Sequence, residues 1–486
     1  MQILTTSGYV NIEDANIGDQ LIAYEVGTGN SVINTLLKKE EFSNDENEYY
    51  QINSNWIFNQ NQSIWIQRNN QISVVHVKDL QVGDIVFNDQ DQDIEIVQID
   101  NYVSEKWWRL EVSGDHSYIA DGVTLHNASR YWVGGGSSAN WNATANTNWG
   151  SASGVQDNSS VPTSVDDVTF DGAGTAGNSN STISATITIK SLNITTGYTS
   201  TMTHNAVLTI AGSWTINNTH TIAGTSSITL SATGTITSNG QTWPNGITLG
   251  ASATYTLASN FTCSGATTQS SFVNPILNKT TSETWSTNGL SVPGNTSNTL
   301  SGTAEIILTG GTWSGNATFI YTNLTFAGNV TVSGNVYYGT NTLKYTSGTI
   351  TTTGSSLYIK ASCTINTSGI SWNNVQLDSS ATITLTSNFV AIGTTSQSLA
   401  INPIINRTTA ETWSTNGISL PGNTGNTLSG TAEIILTGGT WSGNNTSIRN
   451  NLSFAGNVTV STNVYYGTGI LKYTSGTITT TGSTLN

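Results

Sequence analysis

The sequence predicts an all-β protein in which a compact N-terminal β region is followed by a repetitive β-solenoid. Three observations predict it. From about residue 176, short strands alternate apolar residues with Thr, as in Ala185-Thr-Ile-Thr-Ile189, Leu208-Thr-Ile210, Ile228-Thr-Leu230, Ile247-Thr-Leu249 and Tyr255-Thr-Leu257. That period of two is the mark of half-buried strands. Ile210, Leu230 and Leu249 recur at a near-constant spacing, the spacing expected of successive solenoid rungs. Over this lies a longer repeat: Asn298 to Asn316 returns unchanged at Asn426 to Asn444, and the same offset is kept by Trp285/Trp413, Trp313/Trp441 and Tyr337-Tyr338/Tyr465-Tyr466. A solenoid fits because each rung leaves apolar edges that only the next rung covers. The competing architecture is a string of tandem β-sandwiches with the long repeat as one domain.

The pass along the chain gives five segments: 1–127, a compact domain; 128–175, a junction rich in Trp, Gly and Asn; 176–229, the start of the solenoid; 230–357 and 358–486, two copies of the long repeat. Composition changes sharply at the first boundary. Residues 1–127 hold 6 Lys+Arg against 20 Asp+Glu, whereas residues 128–486 hold 8 against 9. No basic patch exists for nucleic acid, and acidic or neutral surfaces gain nothing from anionic lipid. No apolar run is long enough to span a membrane as a helix. Cys263 and Cys363 lack metal-ligand spacing and are expected to be buried free thiols. The N-terminus lacks the basic start and apolar core of a secretion signal, so an extracellular product must leave by another route, such as riding on a virus particle. The sequence stops at Asn486, in mid-rung relative to the preceding copy.

Within residues 1–127 the pattern is many short strands, with Val32 to Lys39 the one helical candidate. Two segments end alike, Val10-Asn-Ile-Glu-Asp-Ala-Asn-Ile-Gly-Asp19 and Val77-Lys-Asp-Leu-Gln-Val-Gly-Asp84, and each runs into a strand (Gln20 to Tyr24, Ile85 to Phe87). A turn repeated near both ends of one domain implies internal pseudo-symmetry. The domain closes on Leu110-Glu-Val-Ser-Gly-Asp-His116-Ser-Tyr-Ile-Ala-Asp-Gly-Val-Thr-Leu-His126-Asn127. Together with the opening Ile3-Leu4-Thr-Thr-Ser-Gly-Tyr-Val-Asn-Ile-Glu-Asp-Ala-Asn-Ile-Gly-Asp-Gln-Leu21, it resembles the Hint superfamily, the fold shared by inteins, bacterial intein-like domains and hedgehog autoprocessing domains.

The resemblance implies a compact all-β horseshoe and a self-cleavage chemistry. Asn127 would be the nucleophile, its side-chain amide nitrogen attacking its own carbonyl carbon to close a succinimide and free the Ala128 amine. An amide nitrogen is a poor nucleophile and needs proton removal and a protonated leaving group. The resemblance assigns the first task to His116, a neutral imidazole near pH 7 being suited to it, and gives His126 either the polarising of the scissile carbonyl or the protonation of the leaving nitrogen. The plain alternative is that His126-Asn127 is a turn dipeptide at a domain end. Several departures exclude full splicing. The chain opens with Met1 just before Ile3, where splicing members place Cys or Ser further upstream. The family's Thr-x-x-His block falls near Tyr50 to Phe58, which holds no His; His76, further on, reads as an ordinary strand residue. Arg109 replaces the carboxylate expected upstream of His116, and Ala128 cannot accept an acyl group. What remains is cleavage after Asn127, at most a single-turnover autoproteolysis needing no cofactor.

The junction, with Arg130-Tyr-Trp-Val-Gly-Gly-Gly136 and Val161-Pro-Thr-Ser-Val-Asp-Asp167, resembles a segment of bacteriophage structural proteins and some bacterial surface proteins. Asp166, Asp167 and Asp171 have the oxygen-rich chemistry calcium favours; the alternative is that they cap turns. The tryptophans of the array can stack sugars, but their regular recurrence favours rung packing. Glycoside hydrolysis needs paired carboxylates. Between residues 176 and 486 the acids are Glu283, Glu305, Asp378, Glu411 and Glu433, of which Glu283/Glu411 and Glu305/Glu433 are repeat equivalents and so read as structural. The expected function is a virion or extracellular structural protein, tail-fibre-like, whose N-terminal domain cuts itself off between Asn127 and Ala128. The alternative is an adhesin or spacer whose N-terminal domain is inert and serves attachment. Expected partners are other virion or surface proteins, with a host glycan and a homotrimeric assembly as further expectations, and no nucleic acid or membrane.

Overall fold

The computed structural model describes all residues except 26–29, 44–48, 60–61, 69–70, 90–91, 103–105, 113–116, 127–128, 137, 144–147, 151–152, 155–160, 165, 293–297, 316–318, 353, 369, 399–400, 421–425, 444–446 and 486. Among the described residues the chain is all-β, with two single-turn 3-10 helices, Ile12–Asp14 and Val77–Asp79. It divides into two compact units: Met1–Ala206 with Thr219–Thr221, and Val207–Asn218 with Ile222–Asn486.

The first unit opens with antiparallel strands β1 (Gln2–Thr5), β2 (Gly8–Asn11), β3 (Gln20–Glu25), β4 (Asn30–Ser43), β5 (Tyr49–Ile52), β6 (Trp56–Asn59) and β7 (Ser63–Arg68). There follow β8 (Gln71–His76), β9 (Ile85–Phe87), β10 (Asp93–Glu95), β11 (Ile99–Tyr102), β12 (Lys106–Val112), β13 (Ser117–Ala120) and β14 (Val123–His126). One sheet runs β10-β9-β7-β14-β13-β1-β3-β4-β12, with β2 on β1 and β8 on β7; β11-β5-β6 form a second. Ile3, Leu21, Leu36, Ile64, Val86, Leu110, Tyr118 and Leu125 meet in one buried core.

The expected pseudo-symmetry is present hydrogen bond by hydrogen bond. The Asp19 carboxylate accepts from the Asn16 backbone N–H and the Asp84 carboxylate from that of Gln81, both at 2.8 Å. Gly18 and Gly83, at φ 101° and 96°, donate to Leu36 and Ile96, and those residues donate back to the Asp19 and Asp84 carbonyls. The two halves differ in their cations. Lys39 donates to the carbonyls of Ile12, Glu13 and Ala15, whereas Arg68 makes a bidentate ion pair with Asp84 at 2.6 Å.

One expectation is corrected here. Val32 to Lys39 is not helical but lies inside β4, a 14-residue strand. Its apolar residues fit either period, and pairing decides: β3 pairs with the first part of β4, from Gln20↔Thr35 to Glu25↔Asn30, and β12 with the rest, from Lys106↔Ser43 to Val112↔Leu36. A segment with strand partners along its length takes the strand.

After the N-terminal strands, pairing becomes parallel, apart from one antiparallel pairing of Ser129–Trp132 with Trp149–Gly150. Ser129–Trp132 pairs in parallel with Asp167–Phe170, which pairs with Ser191–Ile194. Trp132, Trp141, Trp149, Phe170 and Tyr198 form a chain of buried rings with centroids 5.0–5.8 Å apart. The Trp149 indole donates to the Trp141 carbonyl at 2.7 Å. Next to this core His204 and His220 are both buried.

In the second unit each strand pairs in parallel with its counterpart on the next rung. Ile210 faces Leu230 and Leu230 faces Leu249, the three residues whose spacing predicted a rung. A second row runs Phe261, Trp285, Ile306, Leu324, Leu343. This is a β-solenoid. It rules out tandem β-sandwiches, whose sheets are antiparallel.

The long duplication repeats contacts as well as letters. Phe261–Trp285 packs at 4.4 Å and Phe389–Trp413 at 4.1 Å; the Trp285 and Trp413 indoles donate to the hydroxyls of Thr267 and Thr395. Glu283 and Glu411 accept from the Thr281 and Thr409 hydroxyls at 2.7 Å, a structural use of both acids. Asn side chains bridge rungs, Asn274 accepting from the Thr299 N–H and Asn402 from the Thr427 N–H, each at 2.7 Å. Gly302 and Gly430 sit at φ 131° and 130°, where a Cβ would fall 2.0 and 2.1 Å from the carbonyl oxygens of Leu277 and Ile405. Cys263 and Cys363 are buried and free.

Burial, and then the neighbouring His220, push the His204 imidazole down to about 3. An unfolded His takes up its proton near 6.5. Between about pH 6.5 and pH 3 the unfolded chain therefore holds more protons, and stability falls as the pH falls. The first unit is expected to melt at progressively lower temperature as the pH is lowered across that window, losing on the order of a few kcal/mol. His204→Phe should flatten the slope; an equal slope in the variant would contradict the assignment.

Candidate cleavage site

In sequence the motif residues flank a two-stranded hairpin. β13 and β14 pair as Ser117↔His126, Tyr118↔Leu125, Ile119↔Thr124 and Ala120↔Val123. Asp121 (φ 48°) and Gly122 (φ 79°) make the turn, the Asp-Gly pair that a two-residue turn with both residues left-handed demands. From Ser117 to Ala120 and from Val123 to Leu125 every residue is buried.

Both ends of the hairpin are clamped. At the turn, the Gln2 N–H donates to the Asp121 carboxylate at 2.6 Å and the Trp56 indole donates to the Asp121 carbonyl at 2.9 Å. At the open end, the Asn34 side chain donates to the Ser117 carbonyl at 2.7 Å and the Trp65 indole to the Ser117 hydroxyl at 3.0 Å. Asn34 is 1% exposed. Sequence reasoning missed Asn34, Trp65 and Ser117. The signal for Asn34 was a lone amide in the run Val32-Ile33-Asn34-Thr35-Leu36; the Asp-Gly turn between apolar residues was the signal for the hairpin itself.

His116, Asn127 and Ala128 lie outside the described residues, and His126 is described only as the backbone end of β14. In sequence, His116 and Asn127 each lie just beyond the Ser117↔His126 pair. His126 also pairs with Ser63, and Ser63 with His76, so His76 stands in the same row of the sheet, two strands from His126. Met1 is at the other end: Ile3 faces Ala120 and Asp121 donates its N–H to the Gln2 carbonyl. A cavity of about 320 Å³ is lined by Met1 and Asp121 at that end and also by Tyr49, Asn59, Gln62 and Trp108, among others. Tyr50 to Phe58 lie in the β5–β6 hairpin.

The three junction aspartates bond to three different neighbourhoods. Asp166 accepts from the Thr163 N–H and hydroxyl at 2.7 Å and pairs with Arg130 at 3.4 Å. Asp167 pairs with Lys190 at 3.0 Å and accepts from Ser191. Asp171 accepts from the Ala173 N–H at 2.9 Å. Among the described residues no three metal-ligating side chains converge.

No family model matches the chain, and no curated protein does. Among solved structures, it is similar to a bacterial intein-like domain from Clostridium thermocellum, at 23% identity over 26% of this chain and 94% of that one, with a TM-score of 0.23. It is similar also to the gp41-1 intein, at 18% identity over 26% and 93%, TM-score 0.22, and to the PabCDC21-1 intein, at 12% over 26% and 95%, TM-score 0.23. The N-terminal fold rests on its strand order and register.

The clamp at the open end is directly testable. Asn34→Ala removes a buried donor to Ser117 and is expected to cost about 1–3 kcal/mol, read as a lower urea midpoint for the N-terminal transition. An unchanged midpoint would mean that the bond holds nothing in place.

Proposed function

We propose that this chain is a β-solenoid shaft of a virion or cell surface, carried behind an intein-like head that cuts itself off between Asn127 and Ala128. The observation that carries the reading is where the bond lies. The last strand of the antiparallel region ends at His126, and the first strand of the parallel stack begins at Ser129. A cut at 127–128 falls between these two strands and leaves each of them on its own fragment.

The chemistry assigned to the motif runs in one direction. The Asn127 amide nitrogen forms a bond to its own carbonyl carbon as His116 takes up its proton. The peptide C–N bond to Ala128 breaks, and the departing nitrogen receives a proton from His126. The products are a head ending in a succinimide and a shaft beginning with the Ala128 amine. Buried clamps at Ser117 support the reading, because a nucleophile this weak depends on fixed geometry.

A second reading, an inert head retained for attachment, is favoured by Arg109, which pairs in register with Glu40 in place of the family's carboxylate. The two readings separate by mass. The purified full chain, incubated across mild pH, should yield a fragment beginning at Ala128 and a head lighter than its hydrolysed form by one water; Asn127→Ala should yield neither. A full-length mass that never changes would overturn the cleavage reading and leave the inert head.

A further inference from the structure

The tryptophans of the second unit, Trp214, Trp243, Trp285, Trp313, Trp372, Trp413 and Trp441, are each no more than 1% exposed, so none offers a ring to a ligand. A different set of rings does. Phe319, Tyr337 and Tyr358 occupy one outward row on three successive rungs, Phe319 facing Tyr337 and Tyr337 facing Tyr358, and the row continues as Gln376 and Ser396. Their centroids are 5.7 and 4.5 Å apart, and all three are half-buried. Tyr321 lies beside them, its ring across Gly339, where a Cβ would come within 2.2 Å of the ring carbons. Its ring stacks with that of Phe319 at 5.9 Å.

A polar edge adjoins the rings. Lys360 pairs with Asp378, and its ammonium lies 5.2–5.8 Å from the centroids of Phe319, Tyr337 and Tyr358. Gln376 donates to the Asp378 carboxylate at 2.8 Å and to the Ser398 hydroxyl at 3.0 Å, and Ser398 donates to Asp378.

Two independent facts separate this strip from ordinary rung packing. First, the fold does not require two of the four rings, although Tyr337 is kept as Tyr465. After the unchanged stretch ending at Asn316 and Asn444, Phe319 and Tyr321 are replaced in the next copy by Ser447 and Arg449. The strand there still pairs as before, Ser447 facing Thr427 as Phe319 faces Thr299. Second, charge is concentrated here. Asp378 is the one acid between residues 176 and 486 without a repeat equivalent, and Lys360–Asp378 is the one ion pair among the described residues of the second unit.

We propose that this strip is a binding site for a neutral saccharide chain. A pyranose ring has an apolar C–H face and a rim of hydroxyls, so it needs aromatic surface and hydrogen-bonding groups side by side. Here Phe319, Tyr321, Tyr337 and Tyr358 supply the surface, and Lys360, Asp378, Gln376 and Ser398 the hydrogen bonds. The ligand is neutral because the only two charges on the strip cancel each other. Four partly covered rings fall far short of the roughly 800 Å² per partner that a stable protein interface buries.

The test is affinity electrophoresis of the full chain in native gels containing dextran, mannan, galactan, xylan or a soluble β-glucan. The wild type should be retarded by at least one of them. The F319S/Y321R double variant carries the next copy's own residues; losing two stacking contacts of about 1 kcal/mol each should weaken retardation about ten-fold or more. D378N, which keeps the shape of the edge, should weaken it several-fold with an unchanged circular dichroism spectrum. Retardation by none of the five polysaccharides, or equal retardation of wild type and both variants, would overturn the proposal.

Discussion

The constraint on which most of this molecule depends is that a rung of parallel strands cannot bury its own edge. Leu208, Ile228 and Ile247 lie in one column because each covers the one before, and the same holds for Phe261, Trp285 and Ile306. Burial of that kind grows with apolar area and needs no charge. Backbone polar groups at the rung corners are met by Asn and Thr side chains from the neighbouring rung, as at Asn278 with Thr303 and Asn406 with Thr431. A sequence that is nearly uncharged from Ala128 to its end is therefore what this stacking calls for and not a sign of disorder. In the first unit, the ring cluster of Trp132, Trp141, Trp149 and Phe170 packs around the first parallel strands.

The N-terminal region answers a different problem. Its strands are antiparallel, its two Gly-Asp turns repeat one hydrogen-bond pattern, and its last hairpin is threaded between β1 and β7. That insertion takes the final strands out of water on both edges and fixes the register at which the chain leaves the domain. Precise positioning of an exit point is the physical requirement of any reaction at the bond that follows, whatever its yield.

Much of this was legible in the sequence, for reasons tied to period. Residues such as Ile210, Leu230 and Leu249 announced the rung because parallel stacking forces equivalent residues to equal spacing. The duplicated turns announced pseudo-symmetry because a left-handed glycine beside a capping Asp is a local device. Val32 to Lys39 misled, since its apolar residues fit either period and one of the two strands that decide the matter, β12, is remote in sequence. Asn34 and Trp65 were invisible as partners of Ser117 for the same reason: separations of 83 and 52 residues leave no local trace. The aromatic strip was half legible. Its departure from the repeat is plain in the letters, but only the rung register brings Phe319, Tyr337, Tyr358 and Asp378 onto one outward face.

If stacking in register is what holds the second unit together, one whole repeat is dispensable and a fraction of one is not. Deleting residues 299–426 joins Asn298 to Thr427 and restores every pairing with its equivalent, Trp285 meeting Ile434 as Trp413 does now. Small-angle scattering with circular dichroism on the purified deletion protein is the direct measurement. A protein with an unchanged β spectrum per residue and a maximum dimension shorter by roughly 30 Å, from about six rungs at about 4.8 Å each, is the predicted result. A protein that unfolds, aggregates or keeps its full length would contradict the account.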